Sequence, residues 1–330
     1  MRALRLTLIA ASVAMLVGGC IETKQDMTLN PDRSGKARVE VVMSSMPFSM
    51  TPSEDPPDPA VTAKRFAKSV LDGSKGVETW SDVSYETTED NRTRFVGTAY
   101  FRDFLKMQVQ SGEVKGVTLK ATPDGGMLLR MDPQQQMGKA APGPVAEQPA
   151  QPAPQMTEEE MQQRLLAERA KWQQMKPMMA MTLGKMKMDA VFRLPGKLVE
   201  VKGFQKTPDG GVRFAFDGAK MIEVIDGLMA DDAYVRENML KGRGGMGQPP
   251  LGDKAMAQLF GTSEALEARA APPLTAQFNY TQEAEAAKAA YPGMIKQLGL
   301  DQVPAGAPAP MLPPGFGLPG GRKGAAGGGV

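Results

Sequence analysis

The first 20 residues constrain this chain most, because they end in the only cysteine of a 330-residue sequence. Arg2 and Arg5 precede an apolar run over residues 6–17. A run of this length is typical of the hydrophobic region of a secretory signal peptide and is too short to cross a bilayer as a helix. The sequence therefore predicts an exported protein whose leader, residues 1–19, is removed.

The junction at residues 16–20, Leu-Val-Gly-Gly-Cys, resembles the lipobox of bacterial lipoproteins. The resemblance implies cleavage between Gly19 and Cys20, and a covalent diacylglycerol and an N-acyl chain on Cys20. Two or three acyl chains hold a protein on a membrane far more durably than one chain. We therefore expect residues 20–22 to form a lipidated N-terminus. The alternatives are an ordinary signal peptide with an incidental cysteine and a cytosolic start with a buried one.

The residue after the cysteine bears on location. Ile21 stands where an Asp is the usual signal for retention in the inner membrane of bacteria with two membranes. We expect a membrane-anchored, extracytoplasmic protein, and in such a host the periplasmic face of the outer membrane is favoured over the inner membrane.

The composition excludes several classes of function. The chain has no histidine, which excludes Ser-His-Asp and Cys-His catalysis and removes the commonest zinc ligand. The net charge is +2 with acids and bases interspersed, which argues against nucleic acid as a partner. Without a cysteine pair, the fold depends on its hydrophobic core alone. We expect no enzymatic activity and no cofactor, although an enzyme that uses carboxylates stays possible.

Alternating apolar and polar residues predict three hairpins in the first part of the domain, residues 23–132. They fall within residues 27–41, 77–101 and 117–131, and each contains turn-forming residues between its two strands. The first hairpin lies only a few residues from Cys20, so the sheet is expected to begin close to the membrane.

Two helices carry start signals. Asp58 can cap a helix with Pro59 in its first turn, and one face of that helix is apolar: Ala63, Phe66, Ala67, Val70 and Leu71. Residues 157–160, Thr-Glu-Glu-Glu, have the spacing of a capping box. They predict an amphipathic helix over about 158–176, which Pro177 kinks or ends.

The pentapeptide Thr-Pro-Asp-Gly-Gly occurs at residues 122–126 and again at 207–211. Its flanks do not align, so we interpret it as convergent turn chemistry, not a duplication. The second copy predicts a hairpin between residues 198–204 and 212–216. Together with the helix over 158–176, this hairpin is expected to complete the domain within residues 157–240.

The remaining segments differ in composition. Residues 133–156 are rich in Pro, Gln and Ala and predict a disordered loop, and residues 304–330 predict a disordered Gly/Pro-rich tail. Between them, residues 241–303 predict a flexible break and a mostly helical region. Within that region we expect a short helix at 263–270 and a last strand at 274–280. The predicted fold class is α+β, an antiparallel sheet of hairpins packed with a few amphipathic helices.

The order of these parts resembles poorly characterised bacterial lipoproteins of the LppM-like type. The matching pieces are residues 28–42, with an Asn-Pro-Asp-X-Ser-Gly turn, and residues 191–216, with a Leu-Pro-Gly strand at 193–199. The resemblance implies an antiparallel α+β exported domain with a role in the cell envelope. It implies no catalytic residues.

Methionine is the one marked chemical bias, with 25 residues. Thioethers can bind Cu(I) or Ag(I), and the candidate ligands are Met175, Met178, Met181, Met186 and Met188. The competing interpretation is that methionine fills the core in place of leucine. The same segment holds Lys185 and Lys187 and is followed by Arg193, which face either anionic lipid or solvent.

The hypothesis that follows is a lipid-anchored envelope protein with a non-catalytic binding or structural role, whose partner is an envelope protein or a lipid. The alternatives are a periplasmic protein that binds soft metals through methionine and a carboxylate-dependent enzyme.

Overall fold

The computed structural model describes residues 21–44, 58–109, 116–133, 157–240 and 253–303. Cys20, the leader, most of the predicted internal loop and the predicted tail lie outside these residues. Within them the chain forms, in order, β1 Ile21–Leu29, β2 Gly35–Ser44, α1 Pro59–Gly73, β3 Thr79–Thr87, β4 Arg92–Phe101, β5 Val117–Ala121, β6 Met127–Met131, α2 Glu158–Thr182, β7 Lys187–Arg193, β8 Lys197–Lys202, β9 Gln205–Lys206, β10 Val212–Asp217, α3 Gly218–Ala230, α4 Asp232–Leu240, α5 Asp253–Phe260, β11 Leu266–Ala271 and α6 Tyr280–Gln297.

The strands form two sheets, which confirms the predicted α+β class. One sheet has seven strands in the order β3-β4-β2-β1-β7-β10-β9, and the other has four in the order β5-β6-β11-β8. The pairs are antiparallel, except that β1 and β7 are parallel. That pair joins strands separated by more than 150 residues of sequence, and hairpin signals cannot predict it.

The three predicted hairpins and the first helix are confirmed. The hairpins are β1 with β2, β3 with β4, and β5 with β6. The Asp58 carboxylate accepts a hydrogen bond of 2.8 Å from the Ala60 N–H and so caps α1. All five apolar residues predicted for the inner face of α1 are buried.

Helix α2 starts where the capping box predicts, but it is longer than expected. The Thr157 hydroxyl accepts from the Glu160 N–H at 3.2 Å, and the Glu160 carboxylate accepts from the Thr157 N–H at 2.8 Å. The helix then continues through Pro177 to Thr182. Met175 and Met179 on either side of Pro177 pack against the core, and this packing outweighs the hydrogen bond that proline removes.

The predicted hairpin between residues 198–204 and 212–216 is wrong. Strand β8 pairs with β11 in the smaller sheet, and only the two residues of β9 pair with β10. Gly203, at φ 73°, separates β8 from β9 and redirects the chain between the sheets. The turn itself forms as expected, since both pentapeptide copies close with the same hydrogen bonds, Thr122 N–H to Gly126 O and Thr207 N–H to Gly211 O.

Two predictions in the C-terminal region are also wrong. Residues 263–270, expected as a helix, contain strand β11, which lies between β6 and β8. Residues 274–280, expected as a strand, form none and lead into α6. The buried residues of β11 alternate with partly exposed ones, and two of the three are alanines, whose small side chains suit a central strand. The C-terminal region is therefore part of the domain.

The larger of two core clusters in the described residues joins the inner faces of both sheets with α1, α2 and α3. A chain of aromatic rings crosses it, with centroid separations of 6.2 Å from Phe101 to Phe104, 6.0 Å from Phe104 to Phe192, and 6.1 Å from Phe192 to Phe204. Helix α6 packs along the edge strand β3 and covers one open edge of the larger sheet.

Candidate functional site

Strand β1 begins at Ile21, the residue directly after Cys20. Ile21 lies opposite Met43 near the end of β2, and Glu22 lies opposite Lys187, the first residue of β7. Asp217, the last residue of β10, is the next partner of Lys187. We call this end of the seven-stranded sheet the entry end. No spacer separates the predicted acylation site from the central strand of the sheet.

A groove of about 290 Å³ opens at the entry end and follows β10. Its apolar lining is Met188, Ala215, Phe216, Leu259 and Phe260. Its charged lining is Glu22, Lys24, Lys187, Asp189, Arg213, Asp217 and Lys220. Strand β9 pairs with β10 only at Val212 and Arg213, so in the described part of the chain residues 214–217 have a strand partner on one side only. The groove therefore extends across β1 and β7 to an open sheet edge at β10.

The Asp189 and Asp217 carboxylates of the groove already have hydrogen-bond partners within the protein. Arg213 donates two hydrogen bonds of 2.7 Å to Asp189, which raises the pKa of the guanidinium. The Asp217 carboxylate accepts from the Ala219 N–H at 2.8 Å and caps α3. Lys187 and Lys220 form no ion pair within the described ranges. The charge left available to a ligand is therefore mostly positive.

Cross-strand ion pairs cover the outer face of the same sheet. Arg94 donates to Glu40 at 3.1 Å and to Glu86 at 2.9 Å, and Arg193 pairs with both Asp26 and Asp209. The Thr207 hydroxyl and Arg193 hold the pKa of Asp209 down at about 2. Exposed pairs of this kind contribute little stability individually, so we interpret the part of this face around these pairs as a solvated surface.

The five candidate methionine ligands are divided between core and surface. Met175 and Met186 pack against the core, as the gap-filling interpretation expects. Met178 and Met181 are 45% and 68% exposed on α2, and Met188 is 41% exposed on β7. Met175, Met178 and Met181 therefore lie on α2, Met186 lies in the connection between α2 and β7, and Met188 lies on β7.

Lys185, Lys187 and Arg193, the three basic residues considered for lipid contact, do not lie at the same end of the sheet. Lys185 and Lys187 are exposed at the entry end. Arg193 is the last residue of β7, about 20 Å away at the rise of a strand, where its two ion pairs occupy it.

Several carboxyl groups in the parts of the chain that the structure covers have shifted pKa values. Every carboxyl group there with a shifted pKa has it lowered, as in Asp226, which accepts hydrogen bonds from the Trp172 indole and from Lys176. Burial, aided by the charge of Glu78, raises the pKa of Tyr280 to about 12. The described residues also contain no group of three or more Asp, Glu or Cys side chains suited to a metal.

Glu78 should make the domain sensitive to acid. A hydrogen bond from Arg102 at 2.8 Å, and an ion pair with Lys288 of α6 at 3.0 Å, lower its pKa from 4.5 to about 2. Because the folded pKa lies below the unfolded one, the stabilisation is complete above the unfolded pKa and is lost as pH falls towards the folded pKa. We expect Glu78→Gln to flatten the fall in urea stability between about pH 5 and about pH 2.

The matched control is Glu159→Gln, at an exposed position on α2, which should leave the pH dependence unchanged. If Glu78→Gln retains the wild-type slope over this range, the ion pairs of Glu78 do not contribute to acid stability.

Comparison with known proteins adds little. No family model and no curated protein matches the sequence. The solved structures that match include the NMR structure of the folded domain of LppM from Mycobacterium tuberculosis, at 10% identity, covering 80% of this chain and 94% of that chain, with a TM-score of 0.26. A similarity at this TM-score supports no inference about function. None of the described helices is long and apolar enough to cross a membrane.

Proposed function

We propose that this chain is a lipid-anchored protein of the bacterial cell envelope that binds a partner and catalyses no reaction. The observation that carries the proposal is that β1 begins at Ile21, directly after the lipobox Cys20. β1 is the fourth of seven strands and is paired on both sides. Acyl chains on Cys20 would therefore hold the sheet against the bilayer, because there is no flexible tether between them.

The groove along β10 is the proposed binding site. Its open strand edge offers backbone hydrogen bonds, as in complexes where an extended peptide adds a strand to a sheet. Phe216, Leu259 and Phe260 supply apolar contact, and Lys220 supplies positive charge. These features suit an extended segment of an envelope protein that combines apolar and acidic side chains.

Several observations support a non-catalytic role over the alternatives. The chain has no histidine, and the shifted carboxyl groups in the described ranges have lowered pKa values, whereas a general acid near neutrality needs a raised one. The methionines proposed as metal ligands include two that are partly buried and pack against the core. Location on the outer membrane of a two-membrane host remains part of the proposal, because Ile21 does not supply the usual retention signal.

The anchor is tested by metabolic labelling with an alkyne fatty acid in the native host. We expect Cys20→Ser to abolish labelling, because no other cysteine exists in the chain. Gly18→Ala is the matched control, since it keeps a small residue before the cysteine and should remain labelled. An acylated Cys20→Ser protein would refute the anchor.

The binding site is tested by photocrosslinking in cells from a photoreactive residue at Lys220, in the groove, and at Lys120, exposed on β5. We expect a discrete protein adduct from position 220 and none from position 120. A lipid adduct in place of a protein adduct would overturn the choice of partner. Equal crosslinking from both positions would overturn the groove as the site.

A further inference from the structure

The junction between α2 and β7 lies at the entry end of the sheet. Because β7 is parallel to β1, its first residue, Lys187, lies opposite Glu22, one residue past Ile21. Residues 183–186 connect α2 to β7, so the last turn of α2 is at the same end. The Met186 carbonyl accepts a hydrogen bond of 2.9 Å from the Gly218 N–H, which fixes this connection on the start of α3.

Two apolar side chains and two lysines are exposed on this junction. Met181 is 68% exposed and Met188 is 41% exposed. Lys185 and Lys187 lie between them in sequence and are also exposed. Single exposed apolar residues are ordinary on soluble proteins. Here, however, they flank two lysines, and flexible apolar side chains beside cationic ones are the combination that binds the interface of an anionic bilayer.

The nearby acids do not oppose such contact. Glu22 is paired with Arg92 at 2.7 Å, and the Asp217 carboxylate caps α3. The charge exposed on the junction itself is therefore that of Lys185 and Lys187.

We propose that Met181, Lys185, Lys187 and Met188, the entry-end surface, dock into the interface of the bilayer that holds Cys20. We choose a lipid bilayer as the partner of this surface because of where the chain enters the sheet. The predicted acylated residue directly precedes Ile21, so the residue that carries the lipid lies only ~3.8 Å of backbone from β1. The inference rests on the proposed anchor. It adds a fixed orientation, with the entry end on the membrane and the opposite end of the sheet in water.

The lone cysteine makes this orientation measurable. Once Cys20 is acylated, an introduced cysteine is the only free thiol. Met181→Cys and Met188→Cys place a nitroxide label on the entry-end surface. Lys206→Cys, opposite Val212 at the far end of β10, places the control label about 13 Å further along the strands than Met188. The acylated protein is reconstituted into vesicles of phosphatidylcholine and phosphatidylglycerol, and spectra are recorded with oxygen and with a water-soluble nickel complex.

We expect the labels at positions 181 and 188 to lose collisions with the nickel complex and gain collisions with oxygen, while the label at 206 behaves as in water. In the Met188→Cys background, Lys185→Glu with Lys187→Glu should restore nickel collisions. If all three labels are equally exposed to water in protein whose acyl chains are confirmed by mass spectrometry, the docking is refuted and the anchor stands. Unmodified Cys20 would refute the anchor and the docking together.

Discussion

Replacement of Phe192 by Ala is expected to lower the free energy of unfolding by about 3–5 kcal/mol. Phe192 lies in β7 near the centre of the larger sheet and is 1% exposed. Its ring packs edge-on against Phe104 and Phe204, with centroids 6.0 and 6.1 Å away. Removing it leaves a cavity where the two sheets meet. Urea unfolding followed by circular dichroism measures the loss.

Val199→Ala is the control for this variant. Val199 is 51% exposed on β8, so its truncation should change stability by less than about 0.5 kcal/mol. A loss of under about 1 kcal/mol for Phe192→Ala would contradict the role of this ring in joining the sheets.

Gly218→Ala should also destabilise the domain, by about 1–3 kcal/mol or more. A Cβ at Gly218 would overlap the backbone carbonyl of Leu183 and approach the Met186 carbonyl to 3.3 Å. These are backbone atoms, so no side-chain rotation can relieve the overlap. The connection between α2 and β7 must shift, which would also displace Lys185 and Lys187.

Gly227 offers a control on the same helix, α3. A Cβ there meets nothing within 4 Å, and the position is exposed. Gly227→Ala is therefore expected to stabilise the helix, by about 0.5–1 kcal/mol. The two substitutions should change the urea midpoint in opposite directions, and a shared direction would contradict the packing of α3 against the connection.

The features that the sequence predicts correctly are local. The hairpins of β1 with β2, β3 with β4, and β5 with β6 depend on a two-residue period and on turn residues, and α1 depends on its cap and one apolar face. Pairings between distant strands are decided by packing, which explains why the β1–β7 pair and the partner of β8 could not be read from the pattern. Alanines in β11 favoured a helix, although their alternation with partly exposed residues suits a strand.

In the candidate site, too, the sequence predicts the local feature and misses those that depend on contacts between distant segments. Cys20 is recognisable because the leader and the lipobox are contiguous in the sequence. The groove cannot be recognised from the sequence, because its lining residues come from six separate elements: β1, β7, β9, β10, α3 and α5. The Lys-Met-Lys-Met run at residues 185–188 can be seen in the sequence. Its position beside Ile21 cannot, because that position depends on the parallel register of β7 with β1.

The intact mass of the mature protein, isolated from membranes of its native host, tests whether lipid is joined directly to the sheet. We expect a chain that begins at Cys20 and carries diacylglycerol and an N-acyl chain, so that lipid is joined to the residue before β1. A mature chain that begins elsewhere, or one with an unmodified Cys20, would contradict it.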